Sequence, residues 1–374
     1  MTLHIFNPEH DIALAANLSN FTAPHAGRQL RHDMGFLPVL WTAEGDVVLV
    51  DDVEVAEKGL QRMCHACKRV LGRSLHTSRV SLAVSSDVAV IRQTTAVDAW
   101  GQDRALCSRL KRCGVDGSIL PTPTQLDAIR LLSHRRSSAM LLPLLRGDGT
   151  IGESFECTSA SEVERLIGRY DKVVLKAPWS SSGRGLRFCD QSLSQHQKVA
   201  ANLQGWLQRI LQTQGSVMVE PYYNKVKDFG MEFTVLPDGR IRYEGLSLFH
   251  TANGAYMGNI LATEAGKRMM MSRYVSLTLL DDIQERICRL FPPLLKGQYT
   301  GPFGIDMMIC TALDDHTPMA DAPAGFLLHP CVEINLRRTM GHAALALSPS
   351  DDDVMGVMRI DYANNNYQLK IERL

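Results

Sequence analysis

Two strand-like segments near the end of the chain carry polar side chains inside apolar runs. Asp306 lies within Phe303–Ile309, and Glu333 and Asn335 lie within Cys331–Leu336. The alternation of a strand points Glu333 and Asn335 to the same face. A carboxylate in an apolar strand is costly to bury unless it is paired or bound to a metal. The chain must therefore fold so that these segments meet partners, and such oxygen donors suit Mg²⁺. Taken singly, each feature fits a surface Asp or a polar strand end.

A second feature is a lysine at the end of the apolar strand Asp171–Lys176, followed by a loop rich in serine and glycine. Lys176 can reach a phosphate, and the backbone amides of Ser180–Gly185 can turn toward an anion. The sequence contains no GxxxxGK[ST] pattern, so this is not a P-loop. Alone, the segment fits a hairpin loop with a snorkelling lysine equally well.

A third feature is the strand Ser216–Glu220, which runs into Pro221 and Tyr222. A strand that leads into such a linker offers free backbone groups to the edge of an adenine. On the next predicted strand, Met231–Leu236, the carboxylate of Glu232 can accept ribose hydroxyls. In isolation, both glutamates fit a surface position.

In this order, the three features resemble the ATP-grasp superfamily over roughly residues 121–348. The resemblance implies that Lys176 touches the α-phosphate, that the glycine-rich loop covers the phosphates, and that the segment after Glu220 holds adenine. It implies metal ligation by Asp306, Glu333 and Asn335. The residues it assigns to the nucleotide are Arg135, Lys176, Ser181, Ser182, Gly183, Arg184, Gly185, Glu220, Pro221, Tyr222, Asp228 and Glu232. Asp228 is a rival of Glu232 for the ribose, because Glu232 lies further from Glu220 than is usual in the family.

The roles of several basic residues follow less directly from the resemblance. Arg135 stands where the family usually has a lysine. The segment 336–342 corresponds to the family's substrate loop, and its candidate catalytic residues are Arg337, Arg338 and His342. These could bind an anionic substrate or stabilise a transferring phosphoryl group, although surface solubility explains Arg338 and His342 equally well. The basic residue near the γ-phosphate stays open among His250, Lys267, Arg268 and Arg273.

The predicted strands alternate with predicted helices along the chain. This alternation predicts an α/β (α+β) protein. Strands are expected at 2–6, 47–50 and 88–91, and one helix over Gln125–Leu145. The resemblance implies the ATP-grasp fold, with two α+β subdomains clamping ATP after a Rossmann-like pre-ATP-grasp domain. We expect that first domain over 1–118, the ATP-grasp domain over 119–348 with lobes 119–215 and 216–348, and a tail with one strand over 349–374.

The N-terminal domain is expected to shape the substrate site. Asn7-Pro8-Glu9-His10-Asp11 follows the first strand, where ligand sites of α/β proteins form. We expect this segment to face the substrate, whereas a structural turn explains Asn7 and Pro8 better.

Composition excludes several classes of protein. The 374 residues include 40 Lys and Arg and 40 Asp and Glu, so the formal net charge is zero. This argues against a protein that coats nucleic acids or membranes. Nine scattered cysteines and the absence of a basic and apolar leader predict a cytoplasmic protein with reduced thiols. We expect small-molecule partners and a homodimer, and neither a nucleic-acid nor a membrane partner.

The resemblance implies an ATP-dependent ligase that joins a carboxylate to an amine or another nucleophile through an acyl phosphate, with ATP and Mg²⁺ or Mn²⁺. One alternative is an ATP-grasp kinase that phosphorylates a small molecule. Another is a nucleotide-binding regulatory protein without turnover, although such a protein has no physical need for buried metal ligands. The sequence does not identify the carboxylate or the nucleophile.

Overall fold

The computed structural model describes residues 1–75, 77, 80–180, 185–190, 197–252, 255–312 and 325–374. Within these ranges the chain forms three sheets with helices packed against them. The predicted α/β class is confirmed. None of the helices in this part of the chain combines the length and the apolar character that a membrane span requires.

The N-terminal region is built on a four-stranded sheet, called here the parallel sheet. Its strands are β1 (Thr2–Ile5), β2 (Val47–Leu49), β3 (Ser81–Ala83) and β4 (Ala96–Ala99), and its helices are α1 (His10–Ala16), α2 (His25–Met34), α3 (Val53–Leu71), α4 (Val88–Ile91) and α5 (Arg104–Arg112). The strand order is β3-β2-β1-β4. Because β1 and β4 are parallel neighbours, the loops after them leave the sheet side by side at its carboxyl edge.

The predicted strand over 88–91 is wrong. Val88–Ile91 is a single helical turn, in which Ile91 is buried and Val90 is exposed. The carboxylate of Asp87 accepts a hydrogen bond from the amide of Val84 and turns the chain before this helix. Periodicity alone does not distinguish a strand from a helical turn in so short an apolar run.

The middle of the chain contains two helices and a four-stranded antiparallel sheet, called here the small sheet. Its elements are α6 (Pro123–Leu132), α7 (Arg136–Leu145), β5 (Phe155–Cys157), α8 (Ala160–Tyr170), β6 (Lys172–Lys176), β7 (Leu186–Asp190), α9 (Gln197–Gln214) and β8 (Val217–Pro221). The strand order is β5-β8-β6-β7, so β8 belongs to this sheet although the predicted division at 215/216 assigns it to the other lobe.

The helix predicted over Gln125–Leu145 is interrupted, and the two helices α6 and α7 are separated at Ser133–Arg135. The ring of His134 packs edge-on against Trp179, and the amide of Arg135 donates to the carbonyl of Pro178. The break therefore brings Arg135 against the loop that follows β6.

The third unit is a seven-stranded antiparallel sheet, called here the large sheet. Its elements are β9 (Lys225–Val235), β10 (Ile241–Ala252), β11 (Ala255–Leu261), α10 (Glu264–Met271), α11 (Leu277–Leu290), α12 (Pro292–Leu295), β12 (Gly301–Thr311), β13 (Phe326–Asn335), α13 (Met340–Leu347), β14 (Gly356–Ala363) and β15 (Asn366–Arg373). The strand order is β13-β12-β9-β10-β11-β14-β15. Apolar side chains of its central strands pack with α11 in the largest core, which leaves the polar face of β9, β12 and β13 for a site.

The predicted tail over 349–374 forms more than the single expected strand. The strands β14 and β15 make a hairpin whose turn residues Asn364 and Asn365 have positive φ angles of 53° and 62°. Asparagine tolerates this conformation, which suits tight hairpin turns. Met358 and Ile371 of the hairpin pack in one core with Met63 of α3, so the end of the chain contacts the N-terminal region.

Candidate active site

Lys176 and Glu220 form a buried ion pair on the small sheet. Lys176 ends β6 and Glu220 lies on the neighbouring strand β8, with 2.5 Å between the Lys176 Nζ and the Glu220 Oε2. The other oxygen of Glu220 accepts a hydrogen bond from the Ser154 hydroxyl at 3.2 Å. The two predicted nucleotide contacts therefore neutralise each other in the chain without ligand.

The predicted metal ligands lie together on the large sheet. Asp306 of β12 is the cross-strand neighbour of Glu333 on β13, and Gly304 pairs with Asn335 in the same register. Glu232 of β9 pairs with Gly304 on the other side, so its side chain shares the face. We call Glu232, Asp306 and Glu333 the carboxylate cluster. Within the described ranges, no three His, Cys, Asp or Glu side chains are arranged as a metal site, and the predicted set has two carboxylates and one amide.

The carboxylate cluster is electrostatically unfavourable. Burial raises the pKa of Asp306 to about 8, and the negative charges of Glu333 and Glu232 act in the same direction. Arg337 and Asn335 oppose this shift without cancelling it. A carboxyl group in these surroundings gains from an added cation, so the donor set fits a divalent metal ion.

Arg135 connects the two sheets. Its guanidinium donates to the Ala177 carbonyl at 2.6 Å and to the Ser180 hydroxyl at 2.7 Å, and to the Glu333 carboxylate at 2.6 Å. The loop after β6 is thus tied directly to a predicted metal ligand.

Arg337 links the site to the N-terminal region. It makes a two-pronged ion pair with Asp11, at 2.8 Å for both contacts, and donates to the Asn335 side chain at 2.9 Å. Burial disfavours the charge of Asp11, but Arg337 outweighs this and lowers the pKa of the carboxyl. Burial likewise opposes the charge of Arg337, and Asp11 keeps its pKa raised. Arg337 is therefore held charged beside the predicted metal ligands.

The side chains of Arg338 and His342 have partners different from those of Arg337. Arg338 donates to Asp98 at 2.6 Å and its guanidinium lies 4.4 Å from the ring centre of Trp41. The two residues, with Trp41 and Asp98, line a cleft of about 660 Å³ beside the large sheet. The three predicted catalytic residues thus divide between two sides of the substrate loop.

Glu232 and Asp228 occupy different ends of β9. The Glu232 carboxylate is buried under α13, with 3.0 Å between its Oε2 and the His342 Nδ1. Asp228 is paired with Met308, on the opposite side of Asp306 from Glu232 and toward the chain that arrives from β8. Its carboxylate accepts hydrogen bonds from Lys225 and from the Thr251 hydroxyl.

The remaining nucleotide candidates surround the two sheets. Pro221 ends β8, and the exposed Tyr222 donates its amide to the Lys172 carbonyl at 2.9 Å. Gly185 packs so closely on Ser180 that an added Cβ would lie 2.2 Å from its hydroxyl oxygen. Ser181, Ser182, Gly183 and Arg184 lie outside the described residues.

The four residues proposed as contacts of the γ-phosphate differ in burial and in their partners. Lys267 is buried, and its ammonium donates to the Leu246 carbonyl at 2.8 Å. Burial lowers its pKa, although Glu264 opposes the shift. Arg268 is paired with Asp281 at 2.8 Å. His250 and Arg273 are exposed, and the γ-phosphate contact stays open among the four residues.

His329 is a site residue that sequence reasoning missed. It is fully buried on β13, opposite Met308, and neither ring nitrogen has a hydrogen-bond partner among the described residues. Burial and the positive charge of Lys176 lower the pKa of His329 to about 3. The available signal was a histidine inside the apolar run Phe326–Cys331, the same signal that singled out Asp306.

A narrow cleft lies between the N-terminal region and the large sheet. It is lined by His10 and Asp11 of α1, by Ser180, and by Glu333 and Asn335. His10 and Asp11 of the segment that follows the first strand therefore share this cleft with the predicted metal ligands, and their contact with a substrate stays a prediction.

No protein-family model matches this chain, and no curated protein matches it either. Among solved structures, it is similar to the biotin carboxylase of Campylobacter jejuni in complex with β-γ-ATP. The identity is 10% and the TM-score 0.53, over 98% of this chain and 77% of that one.

A second similarity is to the biotin carboxylase domain of the Hydrogenobacter thermophilus 2-oxoglutarate carboxylase, bound to MgADP, ADP and bicarbonate. Its identity is 11% and its TM-score 0.51, over 96% of this chain and 74% of that one. The N5-carboxyaminoimidazole synthetase of Staphylococcus aureus in complex with ADP gives 12% identity and a TM-score of 0.48, over 97% and 83% of the chains.

At these identities, the similarity to the two biotin carboxylases establishes the fold and nothing finer. The fold expected from the motifs is confirmed: this chain has the ATP-grasp fold.

Proposed function

We propose that this chain is an ATP-dependent ligase that joins a carboxylate to an amine through an acyl phosphate. The observation that carries the proposal is that Arg135 joins two charge sets. It contacts Ala177, next to Lys176 of the Lys176–Glu220 pair, and Glu333 of the carboxylate cluster. A nucleotide triphosphate with its divalent cation complements both sets, since it brings anionic oxygens to the lysine and a cation to the carboxylates.

The nucleotide would bind between the two sheets. Lys176 would exchange Glu220 for the α-phosphate, and the adenine would lie along the segment Glu220–Tyr222. Asp228 is the better candidate for the ribose, because it lies on the side of Asp306 nearer to that segment, whereas Glu232 is covered by α13 and faces His342. The Ser180–Gly185 loop, with Ser181 to Arg184, would cover the phosphates.

Asp306, Glu333 and Asn335 would hold Mg²⁺ or Mn²⁺. The raised pKa of Asp306 and the adjacent Glu333 support this assignment, because a cation relieves their mutual repulsion. When bound, the metal ion would neutralise phosphate oxygens and so make the phosphorus a better target for an anionic nucleophile.

The chain's own basic residues would orient the reacting groups. Arg337, held charged by Asp11, lies beside Asn335 and is suited to bind the carboxylate or the transferring phosphoryl group. Arg135 would position the loop over the phosphates through its contacts with Ser180 and Glu333. Arg338 and His342, in the cleft on the other side, are candidates for contacts with more distant parts of the substrate.

The proposed reaction has two steps. The substrate carboxylate attacks the γ-phosphorus of ATP, and ADP leaves as the acyl phosphate forms. The amine then attacks the acyl carbon, and phosphate leaves as the amide forms. Catalysis of this kind consists of positioning and charge stabilisation, so it needs no nucleophile from the protein.

Two measurements test the proposal. Mg-ATP should stabilise the fold by about 2.7 kcal/mol at 100 times its dissociation constant, seen as a raised Tm. A screen of amino acids and small carboxylates, each with and without amines, should give ADP release that requires both substrates. An unchanged Tm at millimolar Mg-ATP would contradict the nucleotide site. ADP release with a single acceptor and a stable phosphorylated product would indicate a kinase instead.

A further inference from the structure

His10 and Asp103 form a buried pair at the carboxyl edge of the parallel sheet. His10 begins α1 after β1, and Asp103 caps α5 after β4, so the neighbouring strands bring the two together. The Nδ1 of His10 lies 3.2 Å from the Oδ2 of Asp103. Only 1% of His10 and 3% of Asp103 is exposed.

The surroundings fix both partners. One Asp103 oxygen accepts from the Leu106 amide at 2.8 Å, and the other accepts from the Asn7 side chain at 3.3 Å. The His10 ring lies flat against Gly101, where an added Cβ would approach the ring carbon Cγ to 2.4 Å. Asn7 holds Gly101 in turn through both its carbonyl and its amide, at 2.8 and 3.2 Å. The imidazole can therefore take one orientation.

This arrangement determines which ring nitrogen is free. Asp103 accepts the Nδ1 proton, so the lone pair of neutral His10 is on Nε2. No described residue lies within hydrogen-bond distance of Nε2, although the atom is buried. His10 also lines the narrow cleft that contains Ser180, Glu333 and Asn335. A buried basic nitrogen without a described partner thus belongs to a residue that lines the cleft of the predicted metal ligands.

Two other buried histidines behave differently. His134 accepts from the Arg136 amide through Nδ1 and contacts the Ser216 hydroxyl through Nε2. His342 contacts Thr339 through Nδ1 and the Phe233 carbonyl through Nε2. Both use their two nitrogens inside the protein, as expected of histidines with a structural role. His329 has no described partner for either nitrogen, but it does not line the cleft. His10 uses one nitrogen, keeps the other without a described partner and lines the cleft.

We propose that His10, oriented by Asp103, is the general base that removes a proton from the amine substrate. This inference rests on the proposed ligase function. The ammonium form of the amine gives a proton to Nε2, which leaves a neutral amine and an imidazolium stabilised by Asp103. The amine nitrogen then forms the C–N bond, the acyl C–O bond breaks, and the second amine proton leaves with phosphate. Asp103 acts through His10 and is a positioning residue.

The test compares two nucleophiles that differ in their need for a base. Wild type, His10→Gln, Asp103→Asn and the exposed control His65→Gln receive Mg-ATP and a pool of the twenty standard amino acids as carboxylates. One series contains ammonium chloride, and the other contains hydroxylamine, which is already unprotonated at neutral pH. We expect His10→Gln to lower the ammonium-dependent rate of ADP release about 100-fold. Its rate with hydroxylamine should stay within about twofold of wild type, and Asp103→Asn should show the same split.

The outcomes decide the role. An equal loss with both nucleophiles would assign His10 a structural or substrate-binding role and overturn the proposal. An unchanged ammonium-dependent rate would also overturn it. His65→Gln should match wild type in both series.

A second measurement does not depend on finding a substrate. Nitrogen NMR of the histidine rings in the full-length protein should show a neutral ring with a protonated Nδ1 and a bare Nε2, and this signal should vanish in His10→Gln. A protonated Nε2 would overturn the proposal even if the pool supports no turnover. Failure of Mg-ATP to raise the Tm would contradict the ligase function itself, so the two failures are distinguishable.

Discussion

The two charge sets of the active site differ in how they are balanced. On the small sheet, Lys176 and Glu220 are opposite charges at 2.5 Å, and Ser154 supplies a further hydrogen bond. On the large sheet, Glu232, Asp306 and Glu333 are like charges, and burial with their repulsion raises the pKa of Asp306 to about 8. In the second set Arg135 pairs with Glu333 and His342 lies beside Glu232, so Asp306 is the carboxyl group whose charge stays disfavoured.

This difference indicates distinct tasks. In the proposed function, the ion pair must break when Lys176 turns to a phosphate, which would lower nucleotide affinity. A cation beside Asp306 would relieve the repulsion that raises its pKa, which would favour the metal complex of the nucleotide. Removing a charge should therefore have opposite consequences for stability on the two sheets.

The largest effect is expected on turnover from the large sheet. Asp306→Asn and Glu333→Gln should each reduce ADP release by at least ~100-fold, because even the groups that orient metal ligands are worth about 10–100-fold. Steady-state assays over a range of Mg²⁺ concentrations measure this. Asp361→Asn, which changes a carboxylate paired with Lys370 at the edge of the same sheet, is the matched control. Retained turnover in both site variants would remove the metal assignment.

The next effect concerns the small sheet. Lys176→Met should weaken ATP binding by about 10- to 100-fold, the worth of a charge-assisted hydrogen bond. It should also destabilise the free protein by about 3–5 kcal/mol, because Glu220 stays buried without its partner. Calorimetric titration and denaturant unfolding measure the two effects.

A double variant separates binding from stability at this site. Lys176→Met combined with Glu220→Gln should recover most of the stability, since no unpaired charge remains. ATP affinity should stay low. Recovery of affinity in the double variant would show that Lys176 is not the phosphate contact.

The third effect is a change in stability that depends on pH. Here the removal of a charge should stabilise the protein, whereas the removal of Lys176 should destabilise it. The pKa of Asp306 is raised to about 8 in the folded protein, well above that of an ordinary aspartate, so the contribution of Asp306 to stability falls as the pH rises from the ordinary value to about 8. Without divalent cations, Asp306→Asn should raise the Tm by several degrees at pH 8 and by less at pH 5. Thermal unfolding at both values measures this difference. A Tm difference that does not change with pH would show that the charge of Asp306 is not disfavoured by burial and by its neighbouring carboxylates.

The smallest effect separates the two ends of β9. Asp228→Asn should weaken ATP binding about fivefold, the worth of one ordinary hydrogen bond. Glu232→Gln should leave ATP affinity within about twofold and change stability instead, because its partner is the buried His342. Titration with ATP measures both variants, and a greater loss of affinity in Glu232→Gln would restore Glu232 as the ribose contact.

Much of the site could be expected from local patterns. The sequence shows a lysine at the end of one apolar run and a carboxylate inside another. Because each apolar run predicts a strand, the sequence also indicates which strands carry these residues. The strand register then makes Asp306 and Glu333 direct neighbours. The prediction of a single helix over Gln125–Leu145 was wrong. The chain breaks at His134, which packs against Trp179, a residue more than 30 positions away in the sequence. The strand predicted over the short apolar run 88–91 was also wrong. In so short a run the pattern does not distinguish a strand from a helix, and the burial that decides between them is not given by the sequence.

Partners of long sequence separation could not be predicted. Asp11 meets Arg337, and His10 meets Asp103, because the parallel pairing of β1 with β4 and the packing of α1 against the substrate loop bring them together. Asp103 reads in the sequence as an ordinary helix cap, which it also is.

By itself, the sequence determined the ATP-grasp fold and the residue types of the proposed nucleotide and metal sites, because both depend on strand periodicity and on short motifs. The tertiary structure decided which charges neutralise each other, which carboxyl group has a raised pKa, and which histidines keep a ring nitrogen without a described partner. These properties depend on burial and on distances between atoms that are remote in the chain, and such distances exist only after the sheets have packed together.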